Sequence, residues 1–297
     1  MNTLKFMRTF LAVAQHGTFS EAAERVALTQ AAVSFQMRAL ETELGRELFD
    51  RSGRTALLNS AGRELLPEVR KLLDLYDQLR LPRAAPGQLA GSVSLGAIVS
   101  CMATLAKVVT ALKITHPQLD VHLFSGKSNE LAQKVETGEL DAAFLVEGGR
   151  TSGSTRWIPL YAEQVVLLAP RSAQGECAEL LASRPFLRFD RTQRTGRQIE
   201  RCLRRIGVNV TEFLELNSIE TLVSLVRQEA GVSLLPQLIG SDWHTSRDLR
   251  VVTLPLDLGY VARAVGMIER RDHGRQDITE VICNRCAEVF SDWQERR

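Results

Sequence analysis

Gln30, Ser34 and Arg38 stand four residues apart, so a helix carries a carboxamide, a hydroxyl and a guanidinium on one face, opposite Val33, Met37 and Leu40. These groups hydrogen-bond base edges and phosphates, and Gln30, nearest the helix start, is the best placed to read a base. Arg51 and Arg54 flank Ser52 and Gly53 and are within reach of phosphates or a minor groove. A second set lies further on. Ser100, Lys127 with Ser128, and Thr195 with Gly196 each follow an apolar run where a helix begins, and free N–H groups at such ends attract anions. Enzymatic chemistry finds no comparable grouping. His16, His116, His122, His244 and His273 are isolated, with no H-E-x-x-H, G-x-S-x-G or phosphate-loop pattern around them. Cys283 and Cys286 have metal-site spacing but no second ligand pair, and read as packing residues.

The elements that must position the first set are legible from caps and periodicity. Leu4, Met7, Phe10, Leu11 and Ala14 recur at helical spacing until Gly17. Thr18 and Glu21 have the spacing of a capping box and open a short helix that carries Ala22, Ala23 and Val26 inward. After Ala27 and Leu28, Thr29 is an N-cap for a longer helix with Ala32, Val33, Met37, Leu40 and Leu44 on its apolar side. A short helix, a tight turn and a longer helix form a helix-turn-helix, whose second helix enters the major groove of DNA. Residues 48–56 read as a two-stranded wing turning at Ser52 and Gly53.

The run at residues 10–62, with GTFSEAA, TQAAVS, ALETELG, LFDR and NSAG, resembles the winged helix-turn-helix of the LysR-type transcriptional regulators and covers about a fifth of the chain. Phe35 departs from the pattern, standing where a polar or basic residue is common. The expected DNA contacts are Thr18, Ser20, Thr29, Gln30, Ala31, Ser34, Phe35, Arg38, Arg51 and Arg54. The fold class implied is α+β multidomain: a winged helix-turn-helix, a linker helix, and an α/β effector domain of two subdomains similar to periplasmic solute-binding proteins. Its cleft would hold a small-molecule effector, with Ser100, Met102, Lys127, Ser128, Val146, Arg194, Thr195 and Gly196 as the expected contacts. Arg194, Arg197 and Lys127 favour an anionic effector. Taken one at a time, Ser100, Ser128 and Thr195 read equally well as ordinary N-caps.

Residues 60–81 contain Leu65, Val69, Leu72, Tyr76 and Leu79 at alternating spacings of 4 and 3, flanked by Leu66 and Leu73. Such a seam pairs with its own copy and predicts a homodimer, the alternative being that it packs within one chain. Ser60 is the expected N-cap, and Pro67 predicts a kink or a late start. Pro82, Pro86, Gly87 and Gly91 mark a hinge over 82–91. The expected domains are therefore 1–59, 60–81, 82–91 and 92–297. Beyond the hinge, strand-like runs alternate with amphipathic helices and predict mostly parallel sheets. The resemblance adds a first subdomain at 92–162 and 263–297 and a second at 163–262, with crossings near Glu163 and Arg263.

Composition sets bounds without naming a function. A net charge of +2 permits DNA binding without demanding it, and residues 1–60 hold seven basic against six acidic side chains. The chain has neither a signal-peptide core nor a run of roughly 20 apolar residues, which predicts a cytoplasmic protein with no membrane association. Five scattered cysteines suit reduced thiols. Some regulators of this type sense peroxide through a cysteine entering a helix of the second subdomain. Here 190–198 contain none, and Cys202 lies within the helix. The expected partners are double-stranded DNA, a second copy (with a tetramer as the larger assembly the family allows), a small effector, and RNA polymerase as a further candidate; no cofactor is expected. A solute-binding protein would leave residues 1–60 without a role, and an enzyme on the same fold would need a catalytic grouping in the cleft.

Overall fold

The computed structural model describes residues 3–50, 56–80, 87–148, 153–254, 261–271 and 273–295. Helices α1 (Thr3–His16), α2 (Phe19–Arg25) and α3 (Gln30–Leu44) pack around Phe10, Val13, Ala22, Val33, Met37 and Leu40. The starts of α2 and α3 are capped as the residue types require: the Thr18 hydroxyl accepts from Glu21 N at 3.2 Å and the Thr29 hydroxyl from Ala32 N at 3.2 Å. The turn between α2 and α3 is closed by Leu28 N donating to Ala23 O at 2.9 Å, with Ala27 in the left-handed region at φ 53°. Gly45 ends α3 in the same region, at φ 66°, where a Cβ would be strained.

Strands β1 (Phe49–Asp50) and β2 (Leu57–Leu58) pair antiparallel as the base of the wing. Phe49 meets Phe10 and Phe19 edge-on at 5.8 and 5.5 Å, anchoring the wing on the helices. Helix α4 (Ser60–Arg80) follows. Its cap is Asn59, whose Oδ1 accepts from Gly62 N at 2.9 Å; Ser60 is the first helical residue rather than the cap. Gly62 lets the helix pass close over the wing, because a Cβ there would lie 2.2 Å from the Leu48 carbonyl oxygen. The helix neither starts late nor stops at Pro67, which lies inside it.

The seam expected for dimerisation divides in two. Leu65 and Val69, with Leu66 and Leu73, are buried in the core of the winged domain. They pack there because α4 lies along α1, tied also by Arg8 to Asp77 at 2.6 Å. Tyr76 is half-buried, while Leu72, Leu75 and Leu79 are exposed, Leu79 to 86%.

The remainder forms two α/β layers. Strands β3 (Gly91–Ala97), β4 (Leu119–Ser125) and β5 (Ala142–Val146) are parallel, with β3 central, joined by helices α5 (Val99–Thr115) and α6 (Ser128–Glu136). The 16-residue strand β6 (Thr155–Pro170) then runs from one subdomain into the other. Next come α7 (Cys177–Ser183), β7 (Pro185–Phe189), α8 (Arg194–Ile206), β8 (Thr211–Leu216), α9 (Ile219–Arg227), β9 (Ser233–Pro236) and β10 (Leu249–Val252). Strand β11 (Ala262–Arg270) returns antiparallel between β6 and β5, and α10 (Gln276–Glu295) packs beside α5. Among the described strands, only β3–β5 and the β7–β8 pair form parallel ladders; β9 and β10 both join β6 antiparallel. The alternating pattern concealed this because the crossing strands connect subdomains rather than successive βα units. Two separate apolar cores result, one around Leu95, Phe144 and Phe290, the other around Leu167, Phe186 and Leu222.

Candidate functional site

Helix α3 presents its polar face outward. Gln30, Ala31 and Arg38 are exposed and Ser34 is half-buried at the rim, while Val33, Met37 and Leu40 face the core. Phe35 shares the outer face at 68% exposure, an apolar surface with the chemistry to meet a thymine methyl. Ser20 is exposed, whereas the Thr18 and Thr29 hydroxyls are engaged as caps and still border the same face. Two buried polar groups hold this helix and were not anticipated: Gln36 Oε1 accepts from the Thr9 hydroxyl at 2.6 Å, and Glu41 Oε1 accepts from Leu48 N at 2.8 Å. Arg51 and Arg54 lie outside the described residues.

The second site is a cavity of about 300 Å³ between the two subdomains. Four helix N-termini border it: α5 with Ser100, α6 with Lys127 and Ser128, α8 with Gln193 and Thr195, and α9 with Ser218 and Glu220. Apolar side chains of Val99, Val146, Phe189 and Leu238 complete the walls. At α6 the N-terminus is met by a carboxylate of its own helix, Glu130 accepting from Lys127 N at 3.4 Å, and at α9 the Ser218 hydroxyl accepts from Thr221 N at 3.2 Å. Helices α5 and α8 have neither an acidic residue in the first turn nor a side-chain cap.

Of the residues named from the sequence, Ser100, Lys127, Ser128, Val146 and Thr195 line this cavity. Three others do not line this cavity. Met102 packs half-buried against the first-subdomain core. Gly196 is required by close approach, since a Cβ would sit 2.0 Å from the Asp190 carbonyl oxygen. Arg194 turns across the mouth into a smaller adjoining recess, its Nε donating to Asn129 Oδ1 at 2.9 Å and its Nη1 to the Val146 carbonyl. Arg197 donates back to the Thr192 carbonyl at 2.7 Å. Beside Arg194, Lys127 Nζ lies 3.6 Å from Asp190 Oδ2. Burial opposes the Asp190 charge, but Thr192, Gln193 and Lys127 outweigh it and hold the carboxyl below its usual range.

The cation at the cavity floor is Arg263, 4% exposed, which the sequence marked only as the point of return. Its Nε donates to Glu163 on β6, Nη1 to Thr195 Oγ1 at 2.8 Å and Nη2 to Ser100 Oγ at 3.2 Å. One guanidinium therefore bonds α5 of one subdomain, α8 of the other, and the strand that links them. The cysteines lie elsewhere: all five are buried, and burial raises their thiol pKa values, to about 11 for Cys101, Cys177 and Cys283. Among the described residues no group of three or more His, Cys, Asp and Glu is placed to hold a metal.

Residues 4–63 match the family described as bacterial regulatory helix-turn-helix protein, lysR family, and residues 86–291 match the LysR substrate binding domain. The chain belongs to the LysR family. It is a LysR-type DNA-binding transcriptional regulator with a small-molecule-binding α/β domain, and its family is one of regulators rather than enzymes. Among LysR relatives, it is 28% identical to the transcriptional activator IlvY of Salmonella typhimurium over 246 residues, 80% of this chain and 83% of that one. It is 26% identical to the transcriptional regulator YusT of Bacillus subtilis over 250 residues, 84% of each chain. A full-length OxyR variant from Pseudomonas aeruginosa superposes with a TM-score of 0.71 at 25% identity, covering 96% of this chain and 94% of that one. Full-length BenM, 19% identical, shares the fold with a TM-score of 0.56, covering 97% of this chain and 96% of that one. LysR regulators bind DNA and small effectors and form oligomers. Among the described residues no helix is long and apolar enough to cross a membrane.

Proposed function

We propose that this LysR regulator is a cytoplasmic homodimer, or a pair of dimers, that reads an inverted DNA repeat through two copies of α3 and changes its grip when a small anion fills the cleft. The observation that carries the effector reading is the convergence of four helix N-termini, two from each subdomain, on one cavity. The two ends at α5 and α8 lack carboxylates and side-chain caps, which leaves them to an anionic ligand. Exposure of Gln30 and Arg38, with half-buried Ser34 between them on one face, supports sequence-specific reading in the major groove. Self-association is supported by the exposed Leu72, Leu75 and Leu79 on α4. The domain division is read as 1–59, 60–81, 82–91 and 92–297, with subdomains meeting at the β6 and β11 crossings. RNA polymerase is the partner through which promoter occupancy would act.

A salt-titrated gel shift tests the reading, using the DNA upstream of the gene, an unrelated fragment of equal length, and a screen of small carboxylates. Specific retention that one carboxylate alters is the expected result. Equal weak retention of both fragments, unaffected by any carboxylate, overturns it.

A further inference from the structure

We propose that Arg263 is the specificity-determining residue of the cleft, the group that receives the negative charge of the effector. The proposal rests on the cavity being the effector site. Donor and acceptor accounting carries it. The Ser100 and Thr195 hydroxyls accept from Arg263, so each keeps its own hydrogen to donate. The guanidinium has five N–H hydrogens, and three are committed, to Glu163, Thr195 and Ser100. Around this point stand two hydroxyl donors, the remaining guanidinium hydrogens, and the first turns of α5 and α8 without carboxylates. Donors crowd the floor of the cavity, and the ligand group that suits it is an acceptor with two or more oxygens, a carboxylate above all.

Glu163 is what makes a buried cation tenable here. It is 1% exposed, sits on β6 where β6 pairs with β11, and accepts from Nε, which leaves both Nη groups to the hydroxyls and the cavity. The guanidinium thus stays in place while its remaining hydrogens and the two hydroxyl hydrogens turn to a carboxylate. Because the hydroxyls come one from each subdomain, the ligand bonds both. Arginine also suits the task better than lysine, since its planar fork meets a carboxylate through two parallel bonds.

The test uses the full-length protein and acetate as the probe, with acetamide as its neutral isostere and chloride to match ionic strength. Thermal unfolding is followed against acetate concentration. Wild type is expected to gain a saturable stabilisation from acetate and none from acetamide. The double variant Arg263→Met/Glu163→Gln, which leaves no buried charge unpaired, is expected to bind acetate roughly 10- to 100-fold more weakly. Arg263→Lys is expected to fall between, keeping the charge and losing the fork. Leu238→Trp, which fills the cavity, should abolish the effect. If acetate stabilises the double variant as well as wild type while Leu238→Trp abolishes the effect, the role of Arg263 is refuted and the cavity reading stands. If stabilisation persists in Leu238→Trp, both are refuted. No preference for acetate over acetamide in wild type also overturns the proposal.

Discussion

The Thr9 hydroxyl donates to Gln36 Oε1 at 2.6 Å inside the winged domain, so a residue of α1 fixes a residue on the inner face of α3, the second helix of the helix-turn-helix. Thr9 is 2% exposed and Gln36 7%. Replacing Thr9 with valine keeps the shape but leaves a buried carboxamide oxygen without its donor, at a cost of about 1–3 kcal/mol. Denaturant unfolding should show that loss, and DNA affinity should fall with it. Stability equal to wild type would mean that Gln36 finds another donor.

Two kinds of contact are expected of the outer face of α3. Gln30→Ala is expected to lose about 1–3 kcal/mol of discrimination between the operator and a variant altered in one half-site. Arg38→Ala should weaken all sequences alike and lower the slope of log affinity against log salt by about 0.9 if one phosphate contact is lost. Competition gel shifts over a salt series distinguish the two, and an unchanged preference in Gln30→Ala refutes base reading by that residue.

Helix α4 should respond differently along its length. Leu65→Ala and Val69→Ala remove buried side chains and should destabilise the winged domain by roughly 1–5 kcal/mol without specifically breaking the proposed self-association. A triple change of the exposed Leu72, Leu75 and Leu79 to glutamate should leave the monomer fold intact and shift the sedimentation equilibrium toward monomer. A triple variant that sediments as wild type would move the self-contact elsewhere.

The paired hydroxyls at the cavity floor give a prediction independent of charge. Ser100→Ala combined with Thr195→Ala should abolish the effector response, because the donors contributed by both subdomains disappear together. The readout is the change in operator retention on adding the carboxylate found in the screen. A full response in the double variant would place the effector away from Arg263.

Acid should loosen the first subdomain through Glu269. Burial disfavours its charge, but His273 at 3.0 Å, the Thr279 hydroxyl at 2.6 Å and Arg156 at 2.6 Å outweigh burial and hold the carboxyl below its usual range. A lowered folded pKa contributes stability above the unfolded value near 4.5 and loses it as pH falls through the folded one. The melting temperature of wild type should therefore drop on acidification below that value, and Glu269→Gln should start lower and fall less steeply. Parallel curves would assign the acid limb to other groups.

The helix-turn-helix was legible because its signals are local. Thr18, Thr29 and Gly45 sit within a few residues of the backbone groups they cap, and the apolar period names the buried face without knowledge of the rest. The cleft was half legible: Ser100, Lys127, Ser128 and Thr195 stand at strand-to-helix junctions that any α/β chain displays. Arg263 was not, since its flanks are Ala262 and Ala264 and its partner Glu163 is 100 residues away in the chain. A glutamate and an arginine so far apart in the chain carry no sign of each other until the pairing of β6 with β11 places them side by side. The leucine seam was half legible for a related reason. Leu65 and Leu72 have the same spacing and chemistry, and only the position of α1 decides that one is core and the other surface.

The first subdomain takes its core from both ends of the α/β region, since Leu95 and Phe144 pack in one cluster with Ile278, Ile282 and Phe290 of α10. Among the described residues, the winged domain draws its core from none later than Leu73. During synthesis the winged domain is therefore expected to fold while most of these residues are still to be made, and the first-subdomain core to close only once α10 has been made. A chain lacking α10 would keep the winged-domain core and lose part of the first-subdomain core, so removing that helix should separate DNA binding from control by the effector.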